Sequence, residues 1–168
     1  MQTVFLVPAI GIFVVAAYGD VRTRRIPNAL SYAIGSLGLL RMLLAGDPIA
    51  AGWTLAAAAG VLVVGFMFFW GGTFGGGDAK LLTGAVLLVG NRDLFDFLLL
   101  MSLFGAVLAL ALLIGDRLVP RLRRAARPVA PNTTGAAARR EAWPTVPYGV
   151  AISAAGMIIL LLQTSISR

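Results

Sequence analysis

Cysteine and histidine are both absent from this chain of 168 residues, and only 7 residues are acidic. Without Cys there is no disulfide and no thiol nucleophile, and without His there is no imidazole base and no Cys/His metal site. Charged residues make up only 12% of the chain, about half of the roughly 25% that a soluble domain carries. We therefore expect most of the chain to lie in lipid. Any hydrolytic chemistry must come from carboxylates, hydroxyls, Lys or Arg.

Apolar residues make up 59% of the chain, and they are grouped in six runs. A helix needs about 20 residues to cross a bilayer, and most of these runs reach or approach that length. The sequence predicts an all-α integral membrane protein, one polytopic domain over residues 1–168 with six transmembrane helices. The runs are Val4–Tyr18, Ala29–Ala45, Ala50–Trp70, Ala79–Val89, Leu94–Gly115 and Tyr148–Gln163.

The fourth run is too short to cross a membrane alone, because its eleven or so residues rise only about 16 Å as a helix. The glycine-rich stretch Gly71–Gly77 precedes it and would have to supply the missing depth. Irregular backbone at membrane depth is tolerated only where protein buries it or where it lines a wet cavity. We therefore expect a water-accessible pocket beside this stretch, with Asp78 in it.

The net charge of +7 would suggest nucleic acid in a soluble protein, but here the basic residues lie between apolar runs. Eleven of the 14 follow the first, third and fifth runs, and Arg41, Arg92 and Arg168 lie on the other side. The excess of basic residues marks the cytoplasmic side. This predicts an external N-terminus, aspartates 20 and 78 on the cytoplasmic side, and a flexible basic cytoplasmic loop over residues 116–144.

Asp20 and Asp78 are the two acidic residues for which we consider a catalytic role, although each also has a structural explanation. Asp20 could be an interfacial residue paired with a nearby Arg, and Asp78 could cap a helix N-terminus. Helix initiation likewise explains Ile26-Pro27-Asn28, with Asn28 as the cap. Three glycines precede Asp78, however, and glycines permit a substrate strand to approach the backbone closely.

Two aspartates that lie close together can share one proton, since like charges a few ångströms apart cannot both ionise. The ionised member takes a proton from water, and the protonated member donates one to the peptide carbonyl or the leaving nitrogen. This chemistry needs no His, no Cys and no metal ion. It fits the residues that the chain has.

Asp20 with Ile26-Pro27-Asn28, and Gly75-x-Gly77-Asp78-x-Lys80, resemble the two signature motifs of the prepilin peptidases, membrane aspartic proteases of the GxGD class. Pro147-Tyr148-Gly149, at the start of the last run, resembles a further feature of that family. The resemblance implies a multi-pass protein of the bacterial inner membrane, with both aspartates catalytic, that cleaves prepilin-like precursors at the cytoplasmic face. We expect substrate to bind at Gly75, Gly76, Gly77, Lys80, Arg25, Pro27 and Asn28.

Longer relatives carry a cytoplasmic insertion between the first two helices, with paired Cys motifs that bind zinc, associated with methylation of the trimmed pilin. Only a short connection joins the first two runs here, so the chain resembles the short Flp/Tad-type form. We expect no methyltransferase activity and no cofactor. Three alternatives stay open: a GxGD protease with other substrates, a proton-coupled transporter, and a non-catalytic subunit of a pilus or secretion system. The oligomeric state is not predicted.

Overall fold

A computed structural model describes residues 2–23, 26–72, 74–118 and 147–166, and nearly all of them are helical. Each of the six apolar runs lies within one helix, which confirms the predicted all-α architecture. The helices are α1 (Gln2–Thr23), α2 (Asn28–Ala45), α3 (Pro48–Trp70), α4 (Gly76–Val89), α5 (Leu94–Leu118) and α6 (Tyr148–Ile166).

Five helices are long and apolar enough to cross a membrane, and α4 is the one that is not among them. Its 14 residues rise about 21 Å, well short of a hydrocarbon core of about 30 Å. On α3, Trp53 and Trp70 are 66% and 81% exposed, and 17 residues of helix separate them by about 26 Å. Tryptophan concentrates at both edges of a bilayer. This spacing fits α3 as a membrane span.

The short helix α4 lies at the centre of the bundle, where it contacts α2, α3 and α6. Its buried residues point in all directions around the helix, as expected for a helix surrounded by others. It runs parallel to α2: the Lys80 ammonium donates to Asn28 at the start of both helices, and Gly38 packs on the Leu87–Leu88 backbone near the end of α4. A methyl group on Gly38 would lie 2.6 Å from that backbone, so a small residue sets this close approach.

Helix α1 packs antiparallel against α6 along one face. Ala9, Phe13, Ala16 and Asp20 are all buried, and their spacing of three and four residues places them in one stripe. The ring of Phe13 fills the space beside Gly156. Asp20 therefore continues a packed, apolar stripe, and its carboxylate enters the bundle at the point where α6 begins.

Three helices extend past the approximate bounds of the apolar runs and of the loop. Helix α1 continues through Asp20 to Thr23, and α4 already begins at Gly76, so two of the seven glycine-rich residues are helical. Helix α5 extends to Leu118, past the predicted start of the loop at residue 116. The remainder of that loop, residues 119–144, lies outside the described residues.

Candidate active site

Asp20 lies on the last turn and a half of α1 and is only 5% exposed. Its Oδ2 accepts a hydrogen bond of 3.2 Å from the backbone N–H of Val150, in the first turn of α6. Unpaired N–H groups and the positive end of the helix dipole stabilise negative charge at such a position. The side chain of Arg22 points elsewhere and donates to the Tyr18 hydroxyl at 2.7 Å. Asp20 is thus buried and accepts a hydrogen bond from α6, while Arg24 and Arg25, the other arginines near it in sequence, lie outside the described residues.

Asp78 is the third residue of α4, and Gly75 is the N-cap. Asp78 is therefore not itself the N-cap, as one explanation of it would require. Its carboxylate instead accepts a hydrogen bond from the backbone N–H of Gly75, which is one half of a capping box. Burial and, to a smaller extent, the negative charge of Asp20 raise the pKa of Asp78, the Gly75 hydrogen bond lowers it, and together they bring it to about 6.

The side chain of Ile26 connects the two aspartate segments. A methyl group on Gly77 would lie 3.3 Å from Ile26 Cβ, and one on Gly149 would lie 2.7 Å from Ile26 Cδ1 and 2.8 Å from Asp20 Oδ2. The connection between α1 and α2 thus fits between the starts of α4 and α6. Asp20 and Asp78, far apart in sequence, meet at this end of the bundle.

Aromatic rings close the sides of the site. Phe74, just before α4, packs on Tyr148 at the start of α6 with ring centroids 5.1 Å apart. The ring of Phe69 lies against Gly76, where a methyl group would be 3.2 Å from Phe69 Cε2. Gly76 therefore makes room for a ring of the protein itself. Gly75, in contrast, is exposed and is open to a substrate backbone.

The other residues predicted to bind substrate lie at the same end of the bundle. Lys80 is exposed and donates from Nζ to Asn28 Oδ1 at 3.1 Å, so Asn28 joins α2 to α4. The cap of α2 is Pro27 and no side chain completes it, which makes the predicted N-cap role of Asn28 wrong. The Pro27 carbonyl accepts from Leu30 at 3.0 Å. Arg25 lies outside the described residues.

The sequence pointed to Pro147-Tyr148-Gly149 only through its resemblance to a family feature. It did not predict that the Val150 amide binds Asp20 or that Gly149 leaves space for the Asp20 carboxylate, because a backbone N–H has no sequence signal of its own. Among the described residues, no group of three His, Cys, Asp or Glu side chains could hold a metal ion. The arrangement brings together one buried carboxylate that accepts a backbone N–H and a second carboxylate whose pKa is raised.

Comparisons with known proteins identify a family and a relative of the chain. The model of the type IV leader peptidase family matches residues 7–110, a stretch that contains both aspartates. The prepilin peptidase EppA of Methanothermobacter thermautotrophicus is 33% identical over 78 residues, which cover 44% of this chain and 20% of the relative. The chain therefore matches only about a fifth of that relative's length. No solved structure matches significantly.

Proposed function

Because the chain belongs to the type IV leader peptidase family, we propose that it is an aspartic endopeptidase with Asp20 and Asp78 as its catalytic pair. Its substrates would be prepilin or pseudopilin precursors, cleaved at the cytoplasmic face of a bacterial inner membrane. One observation supports this most directly: the charge of Asp20 raises the pKa of Asp78. Two carboxylates that act on each other in this way are the arrangement that general acid–base hydrolysis needs.

The surroundings of the two carboxylates suggest their roles. Asp20 accepts the Val150 N–H at 3.2 Å, which favours its ionised form, so it is the base that takes a proton from the attacking water. Asp78, whose pKa is raised by burial and by the charge of Asp20, is the acid, and it donates its proton to the carbonyl oxygen as the water oxygen bonds to the carbonyl carbon. The proton on Asp20 then passes to the leaving nitrogen as the C–N bond breaks, and a hydroxyl of the collapsing diol returns its proton to Asp78. No cofactor takes part.

The orientation of the bundle follows from charge. Helices α1, α3 and α5 end at the aspartate end, and α2, α4 and α6 begin there. The basic residues Arg22 and Lys80 belong to this end, and six of the 13 arginines of the chain lie in the segment between α5 and α6. The excess of basic residues supports a cytoplasmic location for this end and an external N-terminus. We infer that α4 completes the set of six membrane helices, with the backbone before it supplying the depth it lacks.

The test is co-expression of the full chain with the pilin precursors encoded nearby, scored for loss of the leader. Asp20→Asn and Asp78→Asn should each abolish cleavage while the protein still inserts into the membrane, because the pair acts as a unit. Asp96→Asn is the matched control, since Asp96 is exposed in the first turn of α5, at the opposite end. Wild-type cleavage in either catalytic variant would refute the two-aspartate mechanism. An unprocessed precursor with the wild-type protein would point to other substrates or to a non-catalytic subunit.

Metal and methyl-transfer chemistry can be tested in the same membranes. Cleavage should continue in EDTA, and no methyl group from S-adenosylmethionine should reach the trimmed pilin. Loss of cleavage in EDTA that a divalent ion restores would contradict a mechanism based on two carboxylates alone.

A further inference from the structure

A cavity of about 540 Å³ lies at the end of the bundle opposite to the aspartates. It exists because α4 is short. Gly38 packs on Leu87 and Leu88 near the end of α4, so the last two turns of α2 extend beyond α4, together with the first turn of α3. The space between them remains open above Val89. Its volume falls within the roughly 300–1,000 Å³ of small-molecule sites.

The cavity lies at the depth of lipid headgroups. Thr54, which lines it, is the neighbour of Trp53, which is 66% exposed on α3 and marks the edge of the bilayer. The lining mixes apolar side chains with polar groups: the Asn91 backbone N–H donates to Thr54 Oγ1 at 3.2 Å, and Gln163 donates to the Val89 carbonyl at 2.9 Å. Charged and polar groups in a cavity of this size at a membrane surface suit a headgroup better than an acyl chain alone.

The charged side chains of the lining are of both signs, two cationic and two anionic: Arg41, Arg92, Asp47 and Asp93. Arg41 donates to the Leu88 carbonyl and is attracted by Asp93. A guanidinium has five N–H donors, so the hydrogen bond from Arg41 to the Leu88 carbonyl leaves most of these donors for a ligand. Asp47 uses one oxygen to cap α3, and Asp93 Oδ2 accepts from Gln163 at 2.5 Å. Each carboxylate has a second oxygen.

We propose that this cavity binds the headgroup of phosphatidylethanolamine, with its phosphate on Arg41 and Arg92 and its ammonium on Asp47 and Asp93. The headgroup carries one negative and one positive charge, which matches a lining with charges of both signs and no net charge. Its ammonium donates hydrogen bonds to carboxylates, and such charge-assisted bonds are the strong ones. The trimethylammonium of phosphatidylcholine has no N–H to donate. The site is independent of peptidase activity.

The test uses the full-length protein, stripped of lipid in detergent and exposed to equal amounts of two lipids with matched chains. Native mass spectrometry then counts the lipids retained. Phosphatidylethanolamine should be retained about tenfold better than phosphatidylcholine, a factor that corresponds to about 1.4 kcal/mol. Phosphatidylglycerol, which has the phosphate without the amine, should also be retained less well.

Two variants probe the two halves of the site without removing a structural contact. Asp47→Asn keeps a good helix cap but removes the negative charge. The preference for phosphatidylethanolamine over phosphatidylcholine should therefore fall several-fold. Arg92→Gln, at an exposed position, should weaken retention of all three lipids. The matched controls Asp96→Asn and Arg22→Gln lie outside the cavity lining and should behave as wild type. Equal retention of the amine and trimethylamine lipids, equal retention of phosphatidylglycerol, or an unchanged preference in Asp47→Asn would overturn the proposal.

Discussion

The substitution Gly149→Ala tests most directly whether α6 holds Asp20 in the position proposed for catalysis. The added methyl group would lie 2.8 Å from Asp20 Oδ2, 3.0 Å from Asp20 Cγ and 2.7 Å from Ile26 Cδ1. The end of the Ile26 side chain can rotate away. The Asp20 oxygen would have to retreat by about 0.6 Å to reach an ordinary contact distance of 3.4 Å, and this shift lengthens its bond to the Val150 N–H.

We expect cleavage by Gly149→Ala to fall by up to about 100-fold, the cost of a misplacement of about 1 Å in a reacting group. The fold should survive, because Ala favours a helix over Gly by up to about 1 kcal/mol. The assay compares the rate of leader removal in proteoliposomes with the thermal unfolding midpoint of the same sample. A slow enzyme with an unchanged midpoint is the expected outcome.

Two other helical glycines provide graded controls. A methyl group on Gly105 would meet Tyr148 at 3.6 Å, an ordinary contact, and one on Gly11 meets nothing within 4 Å. Both Ala variants should cleave at nearly the wild-type rate. The positioning of Asp20 by α6 is refuted if Gly149→Ala cleaves at the wild-type rate. It is also refuted if a lower thermal unfolding midpoint accounts for the whole loss of cleavage.

Three further predictions follow from the site. First, kcat/KM should fall about tenfold per pH unit above pH 6, because Asp78, whose pKa is raised to about 6, loses the proton that it donates; a rate that rises through pH 6 would reverse the assigned roles. Second, Gly75→Ala, whose methyl group would lie 2.7 Å from Asp78 Oδ2, should lose most activity, whereas Gly60→Ala, with nothing within 4 Å, should keep it; equal rates would contradict the steric argument. Third, Lys80→Met should leave the pH profile of cleavage in place, because Lys80 donates to Asn28; a shifted profile would make Lys80 part of the catalytic electrostatics.

The helices could be predicted because each helix corresponds to one apolar run of the sequence, and the structure places all six runs within helices. The ends of the helices were harder to predict. A carboxylate at the end of an apolar run is expected to mark the edge of the helix, yet α1 continues past Asp20 to Thr23 because its inward face runs from Ala9 to Asp20 without interruption. The spacing of these buried residues was present in the sequence, but only the contact with α6 shows which face turns inward.

The catalytic candidates could be named from the sequence, but their surroundings could not. The glycines before Asp78 were expected to form one irregular segment that receives substrate. In the structure they differ: Gly76 makes room for the Phe69 ring, Gly77 for Ile26, and Gly75 faces outward. Long-range packing decides these roles, and one sequence does not contain it. The expected pocket beside Gly71–Gly77 stays a prediction, and the cavity of about 540 Å³ lies at the opposite end.

The short connection between α1 and α2 has a structural role that bears on the longer relatives. Ile26 contacts Gly77 on α4 and Gly149 on α6, and the Pro27 carbonyl begins α2. All of these contacts involve residues after position 25. A domain inserted between Thr23 and Ile26 would leave every one of them in place, as well as the bond from Val150 to Asp20. An insertion at this connection is therefore compatible with the contacts around both aspartates, so the proposed catalytic pair does not depend on the length of the connection.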